Sequence, residues 1–118
     1  MSIRRETRLG LGPFTEELTL TNTSWTDVPG LTGDPAVQLQ TLTIINRDLA
    51  NTLEYRVGTQ GSIPIPANTF GNGLWTEDIP PEGMVVDEAS GAVQVRAVAQ
   101  PIDVSVTYWL IPDNPPLR

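Results

Sequence analysis

Apolar residues in this chain recur with a period of two, in runs of four to ten residues, and Gly and Pro fall between the runs. That pattern limits the fold more than any other feature. A period of two puts alternate side chains on opposite faces of an extended backbone, whereas an amphipathic helix needs a period near 3.6, and no stretch carries one. The clearest case is residues 92–99, where Val93, Val95, Ala97 and Ala99 share one parity and Gln94 and Arg96 the other. Ten Gly and 11 Pro in 118 residues supply turns between many short strands.

The first alternation starts at Glu16, with Leu18 and Leu20 opposed to Thr19 and Thr21, and closes at Asn22-Thr23-Ser24 and Asp27. After a turn-rich loop over 28–35 comes the longest strand, Val37 to Asn46. Its parity slips between Leu39 and Leu42, which predicts either a bulge at Gln40 and Thr41 or cover on both faces, and in both cases a central place in a sheet. Leu53 to Val57 alternates again. Ile63-Pro64-Ile65-Pro66 is confined to a sheet edge or strand end because proline has no N–H for a ladder. Leu74 to Asp78, Met84 to Val86, Ala92 to Ala99 and Val104 to Leu110 complete the series. Seven or eight short antiparallel strands at this spacing predict an all-β sandwich or jelly roll over 16–111. Residues 1–15 are expected to form an extended N-terminal arm and 112–118 a Pro-rich C-terminal tail.

Composition narrows the chemistry. The chain has no Cys, His or Lys, so the commonest general base, thiolate and imidazole ligands, Schiff-base amines and the triads built on them are missing. The expectation is a non-enzymatic protein without metal or cofactor. All seven cations are Arg, a side chain suited to planar, bidentate contacts. Residues 1–8 carry +2 through Arg4, Arg5 and Arg8, and the remainder carries −9, which disfavours nucleic acid as a partner. No apolar stretch has the length of a bilayer span, and Met1-Ser2-Ile3-Arg4-Arg5 leads into polar sequence rather than a signal peptide, so neither membrane insertion nor export is expected.

Among the remaining groups, Glu77, Asp78, Glu82, Asp87 and Glu88 form the densest acidic stretch. Solvated loop charge is the expectation, with a calcium site or a glycosidase carboxylate pair as alternatives. Gly71-Asn72-Gly73 reads as a turn and lacks the Lys of a phosphate loop. Asn22-Thr23-Ser24 fits a glycosylation sequon only by coincidence. Trp25, Trp75 and Trp109 could pack in a core or interface, or stack sugar rings. Trp109 has the opposite parity to Val104, Val106, Tyr108 and Leu110, so it faces outward and is a candidate contact with another chain.

The segments Leu42-Thr43-Ile44-Ile45-Asn46-Arg47-Asp48, Leu53-Glu54-Tyr55-Arg56-Val57, Ile63-Pro64-Ile65-Pro66-Ala67, Val93-Gln94-Val95-Arg96 and Val104-Ser105-Val106-Thr107-Tyr108 resemble small β-sandwich virion proteins of tailed bacteriophages. These include capsid decoration (cement) proteins and small components of tails, necks and fibres. The resemblance spans about residues 37–111. It implies a virion structural protein, present in many symmetric copies with a trimer favoured, that binds a major capsid protein or another virion protein and stabilises the shell. Contact candidates are then Arg4, Arg5 and Arg8 in the arm, Trp109 on the outer face, and Pro115 and Pro116 in the tail. A glycan- or receptor-binding sandwich remains the alternative.

Overall fold

The computed structural model describes residues 11–112, except 59, 70 and 100. They form an all-β sandwich of nine strands: β1 (Leu11–Leu20), β2 (Thr26–Asp27), β3 (Val37–Asn46), β4 (Leu53–Val57), β5 (Ile63–Ile65), β6 (Leu74–Thr76), β7 (Met84–Val86), β8 (Val93–Ala97) and β9 (Ile102–Leu110). One sheet has the order β1-β9-β3-β6, with β7 also on β3. The other has the order β2-β8-β4-β5, and every pairing is antiparallel.

The pairing is nested. β4 and β5 form the inner hairpin, β3 pairs with β6 and β7, β2 with β8, and β1 with β9. A long hairpin folded over on itself in this way is a jelly roll, so the connectivity decides between the two architectures expected from the sequence. β6 and β7 lie end to end along β3, opposite Thr43–Ile45 and Val37–Leu39 respectively. They act as one strand interrupted where Pro80 and Pro81 cannot donate to a ladder.

The inward residues of both sheets meet in one core. Leu39, Leu42, Ile44 and Val106 from the first sheet and Leu53, Val93, Val95 and Ala97 from the second have no accessible surface, and Tyr55 retains 1%. Burying each larger aliphatic side chain contributes about 1.5–3 kcal/mol before conformational entropy is charged against it. The slip in β3 is a bulge: its register on β9 shifts between Leu39 and Thr41. The Ile63-Pro64-Ile65 strand is the free edge of its sheet, as its proline requires.

Three expectations need correction. The first strand begins at Leu11, so residues 11–15, read as arm, belong to the sandwich and pair with β9. Gly12 and Pro13 are tolerated there because the register shifts between Leu11 and Phe14, and β1 is an edge strand on which a missing N–H leaves no ladder partner unsatisfied. The last strand starts two residues earlier than expected, at Ile102. Nine strands replace seven or eight because Thr26–Asp27, too short to alternate, pairs with β8. The rest of the expected arm, residues 1–10, and tail residues 113–118 lie outside the described residues.

Candidate binding surfaces

The outer face of the β2-β8-β4-β5 sheet carries the most ordered polar cluster. Register places Asp27 opposite Gln94 and Gln94 opposite Arg56, with Arg96 opposite Glu54 on the same face. Gln94 Nε2 donates to Asp27 Oδ1 at 2.7 Å, and Arg56 Nε donates to Gln94 Oε1 at 2.8 Å. Arg96 Nε donates to Glu54 Oε1 at 2.7 Å in a half-exposed ion pair. Trp25, just before β2, lies over both cations: the Arg56 and Arg96 guanidinium carbons are 4.1 and 4.7 Å from its ring centroid. Cations over an indole face are attracted by its quadrupole, and each fixed Nε bond orients a guanidinium plane. Among the described residues, the Nη groups of both arginines have no acceptor.

The outer face of the other sheet is built differently. Thr15, Thr107, Thr43 and Thr76 align as one rung across β1, β9, β3 and β6. Beside it, Glu17 Oε1 accepts from Arg47 Nη1 at 2.6 Å and from Ser105 Oγ at 3.0 Å. Trp109 sits on this face opposite Thr41, half-buried, with its ring against the Gly12 backbone. Its expected outward orientation is what the register gives, although β1 covers part of the ring.

A third surface lies at the end where β1 begins. The nine- and ten-residue strands β1, β3 and β9 are longer than the five-residue β4 and β8. Inward-facing Phe14 reaches Tyr108, with ring centroids 5.3 Å apart, yet Leu11 and Phe14 remain 49% and 40% exposed. Because Leu11 pairs with Leu110, the first described residue and the end of β9 lie side by side here. Arg4, Arg5, Arg8, Pro115 and Pro116 lie outside the described residues.

The acidic stretch does not gather into a centre: no group of three or more carboxylates able to hold a metal occurs among the described residues. Glu77 has a structural task. Its Oε1 accepts from the Tyr55 hydroxyl at 3.0 Å and Trp75 Nε1 at 3.2 Å, which spends one of the three indole N–H groups. Burial, with the Glu77 charge and hydrogen bond adding to it, raises the Tyr55 pKa well above the ordinary phenol value. Asp87 caps its own turn by accepting from Ser90 N, and these hydrogen bonds lower its pKa. Asp87, Glu88 and Asp34 line one shallow depression with Gly33, Ala36 and Ala89.

Sequence reasoning missed the Trp25 cluster. Arg56 and Arg96 were readable as outward positions, but only the strand order brings β2 beside β8 and lays Trp25 over both. Comparison with protein-family models, curated proteins and solved structures gave no match to this chain.

Proposed function

We propose that this chain is a non-enzymatic virion structural protein, a capsid decoration protein that attaches in symmetric, trimeric copies to a major capsid protein. The observation that carries this reading is the uncovered apolar end of β1, where Leu11 and Phe14 are exposed beside the end of β9. Apolar side chains left on a long edge strand suit burial against another protein surface. The Arg-bearing segment 1–10 precedes Leu11 in the sequence, so attachment would combine an apolar seat with a basic extension.

The jelly-roll connectivity supports the reading at the level of fold, since viral capsid and lectin domains share that architecture. Fold likeness alone does not assign a role. Against a lectin-like role, the Trp75 indole N–H is spent on Glu77. The protein would work without cofactor, membrane or nucleic acid. Its test is cryo-electron microscopy of the native particle, where copies on the shell are expected. Density only at the neck, tail or fibre would replace decoration with an accessory role there.

A further inference from the structure

The outer face of the β2-β8-β4-β5 sheet holds two cations side by side on one ring, an arrangement that like-charge repulsion opposes. Asp27, through Gln94, and Glu54 balance that charge formally, but only Glu54 contacts a guanidinium directly. Among the described residues Arg47 is paired with Glu17 and Arg96 with Glu54, while Arg56 has no carboxylate partner. The unspent Nη forks of Arg56 and Arg96 are donors shaped for carboxylates.

Carboxylates without cations lie elsewhere on the same chain. Between Thr76 and Ser90 the sequence has five acidic residues and no Arg. Glu77 is spent on Tyr55 and Trp75, and Asp87 on its own turn, whereas Asp78, Glu82 and Glu88 are exposed and make no ion pair among the described residues. Each copy thus presents guanidinium groups with unspent Nη donors and, on either side of β7, exposed carboxylates that make no ion pair among the described residues.

We propose that the Trp25–Arg56–Arg96 face binds the Glu82–Glu88 segment of a second copy of this chain. The inference rests on the assembly reading above and supplies its self-association contact. A flat partner surface suits the site better than a small ligand, because the cluster lies on an open sheet face and small-molecule sites are concave. Trp and Arg are also the side chains that dominate the centres of protein interfaces. Donor and acceptor are different surfaces, so the contact is heterologous: one copy's donor face engages the next copy's acceptor, and a closing rotation yields a ring.

Sedimentation equilibrium on the purified full chain tests this, with Arg56→Gln/Arg96→Gln as the donor variant and Glu82→Gln/Glu88→Gln as the acceptor variant. Circular dichroism and the melting temperature verify that each variant is folded. Wild type is expected to form a closed oligomer, a trimer on the present reading, of 12.8 kDa subunits. Either variant should weaken association about tenfold or more, and raising NaCl from about 20 to about 500 mM should weaken wild type in the same direction. An equimolar mixture of the two variants retains one competent donor and one competent acceptor, so it should give a dimer where each variant alone is monomeric. A monomeric wild type at about 100 μM, far above the Kd expected of a specific interface, would overturn the proposal. So would an oligomer indifferent to the donor variant. A monomer that still decorates particles would remove this contact and leave the assembly reading standing.

Discussion

The Tyr55 hydroxyl on β4 donates to Glu77 Oε1, 3.0 Å away on the segment following β6, and so ties one sheet of the sandwich to the other. Glu77 also anchors its own segment to β3, its backbone N–H donating to the Leu42 carbonyl at 3.0 Å. Truncating Glu77 to Ala leaves a buried phenol without an acceptor and is expected to cost about 1–3 kcal/mol. Tyr55→Phe removes the donor instead and is expected to cost less. Urea unfolding of the two single variants and the double variant checks this, because the double should be less destabilised than the sum of the singles.

Alkaline pH acts on the same contact. Burial raises the Tyr55 pKa, aided by the charge of Glu77, and burial with the Glu16 charge raises that of Tyr108. A phenol whose folded pKa exceeds its unfolded value binds more protons in the native state. Its contribution is complete below about pH 10 and is lost as pH rises from there through the folded pKa. Unfolding free energy should therefore fall above about pH 10, and Tyr55→Phe should flatten that fall. Spectrophotometric titration of the folded protein should show no phenolate step at the ordinary phenol pKa.

Asn46 is a fully buried polar residue at the end of β3. Its Nδ2 donates to the carbonyls of Asn51, Ile65 and Pro66 at 2.9, 3.3 and 3.1 Å, and its Oδ1 accepts from Asp48 N at 3.0 Å. Asn46→Ala would leave buried carbonyls without a donor, with an expected loss of about 2–4 kcal/mol. Asn46→Asp should be worse, because it turns a carboxylate toward those same carbonyls. Thermal melts of both variants give the order.

Gly58 and Gly91 meet backbone to backbone where the ends of β4 and β8 turn. Gly58 has φ +60, and a Cβ there would strike the Ser90 carbonyl. Gly58→Ala combines left-handed strain with that clash and should destabilise by at least about 1–3 kcal/mol. Gly71→Ala is the comparison: φ is +80 but nothing lies within 4 Å, so only the backbone strain should register in the denaturation midpoint.

At the β1 end, Leu11→Ser/Phe14→Ser removes apolar surface that is 49% and 40% exposed, and loss of the Phe14 contact with Tyr108 should lower stability by about 1–2 kcal/mol while leaving the domain folded, as a thermal melt would show. Binding to particles that lack the protein is expected to fall tenfold or more, about 1.4 kcal/mol, as measured by co-sedimentation. Deleting residues 1–10 should weaken binding in the same assay, because this Arg-bearing segment directly precedes Leu11 in the sequence.

Much of the fold was legible because its causes are local. Parity at Val93, Val95 and Ala97 set the face of β8, the slip at Gln40 and Thr41 marked the β3 bulge, and the prolines at 64 and 66 put β5 at an edge. What escaped has non-local causes. Residues 11–15 pair with β9 despite Gly12 and Pro13, and only the partner strand shows it. β2 is two residues long and owes its existence to β8. For the same reason the Trp25 cluster and the Tyr55–Glu77 tie were illegible: each joins residues separated widely in sequence and brought together by the nested winding. Trp109 was legible from parity alone, though the cover that β1 gives its ring was not.

Cryo-electron microscopy of the native particle tests the central claim most directly. The account predicts a jelly-roll density at symmetry-related sites on the outer shell, with the β1 end and both terminal segments against the capsid protein. A shell without such density, in particles that contain the chain by mass spectrometry, would contradict it.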